Sequence, residues 1–502
     1  MLRDHHPIVI EDFNGLFDRG TKDSVPLDHF TDCENIDFTH LGFKVRPGQD
    51  TYFGIANPVR IYNYVMPDGD TLLILDNVGN IYHVIPGVST FGPILSIPSM
   101  LDFKFINYAG RAYITPFQIE VSILGQNSPR ALQFNSLVGG YLYVYLGDGT
   151  PARKAAGAPP TAGSLTLANG AAGNVEAGVH IIGVLYETDT GFLTKPTRLT
   201  EITATGTQQI DVSAIPVSPD SFVVARRLVA TVAIDPLLFT GNLEGYQLFF
   251  IPDGRIPDNT TTTLSVNFYD ADLFSDASHL LDIMEEIPST VGLTTYHNRL
   301  VAYSTYDDIS IALVSYVGEP EAIDAVTGLV IIPLDGDPII NGQEFRDVLY
   351  LFKKTRTYAV TDNADVPSTW PVVVIDQGIG ASVHGIASVL DSGGVNIDFL
   401  LIVDWSGLML FNGAYARPEL SWKIEDRWTA LDRNDFGNIQ ILNDSLNQKI
   451  YISLGNTMML YANYSNGLNA KDIRWSPWLF HVDVNTIALI DTDVLVFGGE
   501  ES

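Results

Sequence analysis

The sequence predicts an all-β fold: a β-propeller of six blades, with seven as the alternative, carrying an inserted β-sandwich of immunoglobulin or fibronectin type. Three observations lead there. The first is a recurring hairpin. In residues 398–413 (DFLLIVDWSGLMLFNG) an apolar run, 399–403, meets the turn Asp404-Trp405-Ser406-Gly407, and a second apolar strand follows at once. TLLILDNVGNIYHV repeats the design with Asp76-Asn77-Val78-Gly79 as its turn. Asp can bond the backbone two residues on and Gly supplies positive φ, so such turns close cheaply. The second is spacing. Divergent copies start at Arg299, Val348, Asp398 and Lys449, a period of about 50 residues, which is the length of a four-stranded blade. The third is composition: 43 Gly, 27 Pro and aromatics set among β-branched residues describe a turn-rich chain of strands. A lone hairpin cannot bury its apolar face, so each must lean on the next. The competing architecture is a sandwich or other β-rich chain whose hairpins merely look alike, and regular spacing over four units favours the propeller.

Four segments follow in chain order. Residues 1–58 read as an entry segment, with a short strand at 8–10 and a strand pair around 36–38 and 43–45. Residues 59–157 hold the first blade-like units, including the copy that starts at Arg111, and end in an Ala/Gly/Pro-rich stretch that reads as linker. Residues 158–288 lose the blade cadence. Strands at short intervals with turns such as Asp189-Thr190-Gly191 predict the inserted sandwich, closed by a helix over 276–286. Residues 289–502 hold the remaining blades. A toroid with open first and last blades would expose bare strand edges, so a strand from the entry segment, at 8–10 or 43–45, is expected to complete the final blade.

Charge and cysteine content narrow the function. With 59 Asp plus Glu against 28 Lys plus Arg the formal charge is −31, and no basic block of the kind that grips phosphates is present. Such acidity keeps a crowded or oligomeric protein soluble and stops DNA from sticking to a surface it passes. A single Cys33 excludes an internal disulfide and a cysteine metal cluster, and it reads as a small buried hydrophobe. The start MLRDHHPIVIEDF is unlike a signal peptide, and no run approaches the ~18 apolar residues of a membrane span.

The order of several short motifs resembles a family of bacteriophage tail nozzle or tail hub propeller proteins with a fibronectin-like insert. The opening IEDFNG, then ENIDF, then GFKVRPG fits that family's entry at Asp12, Phe13, Gly15, Asn35, Asp37, Phe38, Arg46, Pro47 and Gly48. The family's second glycine is replaced here by Leu16. HNRLVA, with His297, Asn298, Arg299 and Leu300, is similar to a family strand, and the tail motif WSPW matches its closing strand at Trp475, Ser476 and Trp478. The resemblance implies a homo-oligomeric, sixfold ring below the portal and adaptor, docking tail fibres. Its lumen passes genome DNA without specific binding. It also implies a protein of the virion tail, assembled in the bacterial cytoplasm, with no membrane partner.

A search for chemistry finds no catalytic, cofactor-binding or metal motif. Adjacent acids such as Asp307 and Asp308 or Asp335 and Asp337 could form a glycosidase pair only if they faced each other across a pocket, and turn acids are ordinarily solvated. Asp270 and Asp272 begin like a calcium loop that Leu273 and Phe274 break. The ten His contain no H-x-x-x-H or H-E-x-x-H pair, and neither G-x-S-x-G nor a phosphate loop is present. His297 and His384 read as structural histidines beside strands. Lys353, Lys354 and Arg356, and the pair Arg226-Arg227, read as charged blunting of exposed turns or edges, or else as a DNA or subunit contact. The expectation is therefore a non-enzymatic ring component. A glycan-degrading propeller (a depolymerase) and a host receptor-binding module stand as the alternatives.

Overall fold

The computed structural model describes residues 14–499 except 20–25, 27–28, 31, 40–41, 48–53, 56, 99, 122–131, 137–139, 161–163, 279, 281–283, 392–393, 432–434 and 491–493. The strand expected at 8–10 lies outside these residues. The chain forms two compact units, one of residues 1–153, 288–314 and 330–502, the other of residues 154–287 and 315–329.

Among the described residues the first unit is a β-propeller with seven blades, the alternative to the six preferred from the sequence. Blade 1 is the antiparallel meander Pro58–Met66, Gly69–Asp76, Asn80–Ile85 and Ser89–Ser96. Blade 2 runs from Asp102–Tyr108 through Arg111–Val121, whose outer edge is shared by Leu132–Ser136 and Tyr143–Tyr145. Blade 3 uses Thr290–Tyr296, Arg299–Thr305, Ile311–Tyr316 and Leu329–Ile331. Blade 4 is Asn341–Phe345, Val348–Phe352, Thr357–Val360 and Val372–Asp376, and blade 5 is Ile386–Leu390, Ile397–Asp404 and Gly407–Phe411. Blade 6 is Gln440–Asp444, Lys449–Ser453, Met458–Asn463 and Arg474–Leu479. The final hairpin, Thr486–Ile490 with Val494–Gly498, supplies the seventh innermost strand, which lies against the innermost strands of blades 6 and 1.

Residue alternation explains why the middle strands are continuous apolar runs. Successive side chains point to opposite faces of a strand, and a blade has a neighbour on each face, so both sets must be apolar. In blade 5, Leu400 and Ile402 pack with Tyr350 and Phe352 of blade 4, while Leu401 and Val403 pack with Ile450 and Ile452 of blade 6. In blade 1, Leu73 and Leu75 meet Phe103 and Ile114 of blade 2, while Leu72 and Ile74 meet Ala488 and Val496 of blade 7. Leu349 and Leu351 of blade 4 join Val301 and Tyr303 of blade 3, and Phe117 of blade 2 joins Val291 of blade 3. The ring therefore closes through side-chain packing on every interface, each buried Leu or Ile contributing about 1.5–3 kcal/mol. The organising turns form as expected. Asp404 accepts the Ser406 amide at 2.8 Å and Asp76 the Val78 amide at 3.0 Å, and Gly79 takes φ +90°.

The second unit is a sandwich of a three-stranded sheet (Thr166–Val175, Gln208–Ser213, Thr263–Val266) and a four-stranded sheet (Thr197–Ala204, Gly178–Thr188, Val223–Ala230, Phe249–Ile256). Its core is made by Val184, Ile182, Ile210, Leu228 and Phe268 among others. Two sequence expectations change here. The helix expected over 276–286 instead ends in a strand, Met284–Glu286, because a partner strand, Glu319–Asp324, offers it a ladder. That partner belongs to residues 315–329, which the sequence reading placed among the later blades. They join this unit, where buried Glu321 accepts the Ala156 amide. No helix among the described residues is long and apolar enough to cross a membrane.

Candidate functional site

Two features of the propeller unit gather polar side chains into defined constellations. The first lies on its axis, where all seven innermost strands surround a cavity of about 290 Å³ lined by residues including Asn63, Lys104, Gln343 and His384. Beneath the lining, buried Asp102 sits at the centre of a network. Arg60 holds it with two bonds, Nε to Oδ1 at 3.1 Å and Nη2 to Oδ2 at 2.9 Å, and His384 Nε2 lies 2.7 Å from Oδ2. The Tyr62 hydroxyl lies 2.8 Å from His384 Nδ1. Burial alone would raise the Asp102 pKa, yet the Arg60 and His384 partners outweigh it and hold the carboxyl well below the usual carboxylate range. Burial, aided by the Arg60 charge, pushes His384 down to about 4, so the imidazole is neutral at pH 7. Its Nε2–H then donates to Asp102 and its Nδ1 accepts from Tyr62. Burial also pushes the Lys104 ammonium down to about 7, while its Nζ donates to the Ile340 carbonyl at 2.9 Å.

This network stitches the ring. Arg60 Nη1 reaches Gln440 Oε1 of blade 6, and the same oxygen accepts Thr486 Oγ1 at 2.8 Å and the Ile487 amide at 3.1 Å from blade 7. Thr486 Oγ1 in turn accepts the Ile61 amide of blade 1 at 2.7 Å. Asn341 of blade 4 donates its amide to the carbonyls of Ser382 and Val383, just ahead of blade 5, and Thr115 of blade 2 bonds Thr290 of blade 3. Asp–His–Tyr order resembles a proton relay, but burial raises the Tyr62 pKa well above normal, which makes its hydroxyl a poor nucleophile. No carboxylate is among the residues lining the cavity. Chemically the arrangement holds strands together. His384 gave a sequence signal only as a histidine beside a strand; its partners come from blades 1 and 2 and could not be read locally.

The second feature joins distant parts of the chain and collects most of the tail-family motif residues that the structure describes. Gly15 takes φ +81° against blade 6, where an added Cβ would lie 2.7 Å from the Trp475 amide nitrogen, so no larger residue fits. The next residue, Leu16, donates its amide to the Trp475 carbonyl at 2.9 Å. Asn35, at φ +56°, uses its side-chain oxygen twice, accepting the Leu479 amide and Arg46 Nε, both at 2.9 Å. Arg46 also donates to the Leu479 carbonyl at 2.8 Å and lies over the Phe480 ring. Trp478 Nε1 donates to the Ile36 carbonyl, and buried Asp37 accepts the Tyr461 hydroxyl and faces Lys449 and Lys44. Phe38 fills the cluster with Tyr461, Trp478, Ile487 and Met459. Pro47 is exposed beside Arg46, while Asp12, Phe13 and Gly48 lie outside the described residues. Strands Ile36–Thr39 and Gly42–Val45 pair with each other, and the first packs beside the final hairpin through Leu495 and Phe497. Among the described strands neither one extends that hairpin's ladder: the 43–45 strand pairs with the 36–39 strand, and it is Ile36 and Phe38 of the latter that pack beside blade 7.

The remaining candidates fall elsewhere. His297 and Asn298 form the left-handed turn between the first two strands of blade 3, away from the clasp, and Arg299 lies over the Trp370 ring. Asp308 accepts the Ser310 amide and Asp335 the Asp337 amide, so both acids are turn residues. Asp270 accepts the Ala233 amide and Asp272 the Tyr269 amide. Lys353 is not at an exposed edge. Its side chain is 0% exposed, with Nζ 2.6 Å from Asp335 and 2.9 Å from the Pro333 carbonyl, because blades 3 and 4 converge around it. Arg356 pairs with the same Asp335, and Lys354 Nζ lies over the Trp405 ring. Arg226 is also fully buried, donating to Asp258 and the Pro216 carbonyl, and Arg227 pairs with Glu187. Cys33 is buried, and burial raises its thiol to about 11.

No family profile matches the chain, and no curated protein does so at a significant level. Among solved structures it is similar to Hsv2 from Kluyvelomyces marxianus, at 9% identity over 84% of this chain and 97% of that one, with a TM-score of 0.28. It is also similar to apo AztD from Citrobacter koseri, at 12% identity over 88% and 98%, with a TM-score of 0.26. The C-terminal WD40 domain of Sif2 gives 10% identity over 68% and 97%, with a TM-score of 0.24. Likenesses at these scores carry no argument about function, and the propeller rests on the strand ladders and interblade packing above.

Proposed function

We propose that this chain is a structural component of a bacteriophage tail, a nozzle or hub protein whose copies form a ring around the path of genome ejection. The observation that carries the reading is the clasp. The motifs that resemble the tail family lie hundreds of residues apart, yet Gly15, Asn35, Asp37, Phe38, Arg46, Trp475 and Trp478 converge on one seam and each has a physical task there. Residues chosen to lock a ring shut are what a load-carrying part requires. The axial network supports the same reading, since Arg60, Asp102, His384, Gln440 and Thr486 are engaged in blade-to-blade bonds. The charge of −31 suits a wall that DNA slides past without adhering.

In this reading the propeller is a rigid block and the sandwich unit offers a second surface to a neighbour, an adaptor or a tail fibre. The ring is sixfold in the related family, assembly occurs in the bacterial cytoplasm, and the finished protein resides in the virion. Imaging of the purified protein by negative-stain electron microscopy, with mass photometry over a concentration series, tests it. Closed rings of a single stoichiometry are expected. A protein that stays monomeric at every concentration and releases sugars from host capsule would overturn it in favour of a glycan-degrading enzyme.

A further inference from the structure

On one face of the propeller the turn of blade 3 meets the turn of blade 4. His297 of the first, Asp347 of the second and Glu344 of the strand that leads into the second each bring one ligand atom within 4.8 Å of the others. We propose that these three side chains form a binding site for a divalent transition cation of the zinc type, bridging blades 3 and 4.

Four observations carry this. The donor set, one imidazole and two carboxylates, is the mixture that zinc and its neighbours accept, and it leaves one tetrahedral position to water. The contraction needed is small. Tetrahedral zinc ligands lie about 3.4 Å apart, so each atom moves inward by no more than about 0.8 Å, within reach of a side-chain rotation. The histidine is held in a ligating posture by a group outside the set: Asp362 Oδ2 lies 3.2 Å from His297 Nδ1, and Asp362 is itself fixed by the Ala364 amide at 2.7 Å. With Nδ1 engaged, Nε2 is the nitrogen left to coordinate, the carboxylate–histidine–metal relation found behind metal-bound imidazoles. The His297 ring is also stacked on Tyr296, with centroids 4.1 Å apart, and the Tyr296 hydroxyl donates to the Asp347 carbonyl at 3.2 Å, so one residue steadies both turns.

His297 and Asp347 are exposed and Glu344 is half-buried, so the cation has an open path from solvent. The sequence search missed the set because its members come from two hairpins about 50 residues apart, a separation that no local histidine motif describes. The occupied site would pin two adjacent blades at their turn tips, where backbone ladders do not reach.

The test uses the full chain with His5 and His6 replaced by Ala, since that adjacent pair could bind metal by itself. Chelator-stripped protein is titrated with Zn²⁺ by calorimetry and, in parallel, with Co²⁺ by visible absorption. One equivalent of Zn²⁺ and the d–d bands of bound Co²⁺ are expected. His297→Ala and Glu344→Gln should abolish both while keeping the metal-free circular dichroism of the parent. Asp362→Asn should weaken Zn²⁺ about 10- to 100-fold without changing the stoichiometry. Failure of the parent to bind one equivalent, or binding by His297→Ala equal to the parent, would overturn the proposal.

Discussion

Neutralising His384 at pH 7 has a measurable price in acid. Its pKa falls from about 6.5 in an unfolded chain to about 4 in the folded propeller. As pH drops, the unfolded chain therefore takes up the proton first, and stability is lost between about pH 6.5 and pH 4 and then levels. Over the middle of that window one proton corresponds to about 1.4 kcal/mol per pH unit, and at pH 4.5 the accumulated loss from this residue is about 2–3 kcal/mol. His384→Gln removes the titration while its amide still reaches Asp102. Urea unfolding of wild type and variant at pH 7.5, 6.0, 5.0 and 4.5 should give curves that converge with acid, the variant recovering about 2–3 kcal/mol of the wild-type decline. His83, buried against Tyr145 and Thr71 and also pushed down to about 4, should behave alike and independently, so the double variant should recover about twice as much. Parallel curves for wild type and His384→Gln across the whole range would refute the assignment of a neutral, desolvated imidazole at the axis.

Two more outcomes follow from packing and charge. Gly15→Ala forces a Cβ toward the Trp475 backbone at a left-handed position, so it should destabilise the chain by about 1–3 kcal/mol, read as a lowered thermal midpoint and faster proteolysis near residues 30–46. Lys353→Met removes the buried cation between Ser310, Pro333 and Asp335 and leaves that carboxylate with Arg356, the Asp337 amide and the Tyr358 hydroxyl; a loss of about 3–5 kcal/mol in denaturant unfolding is expected, and an unchanged midpoint would contradict the burial.

The hairpins were legible because their signals are local. Asp76 and Asp404 carry the turn chemistry in their own side chains, and the double-sided burial of 400–403 is written as an unbroken apolar run. The blade number was less so. Among the described residues the final hairpin, 486–498, has two strands and no outer pair, so a count based on full units of about 50 residues passes over it. The far end of the helix expected over 276–286 differs for the opposite reason: residues 284–286 pair with residues 322–324, and a partner that arrives later in the chain outweighs local propensity. Lys353 and Arg226 looked like surface charge because a lone basic residue carries no mark of burial. Their shields, Asp335 and Asp258, are 18 and 32 residues away. The clasp stood between these extremes. Its residues were visible as a motif order, and their shared location was not.

That clasp also sets a schedule. Asn35 and Leu479, which meet across the seam, are 444 residues apart in the chain. During synthesis blade 1 therefore waits on the ribosome with the face made by Leu72 and Ile74 uncovered until Ala488, Ile490 and Val496 emerge. Until translation passes that point, the nascent toroid is an open arc whose uncovered apolar faces are open to association between incomplete chains.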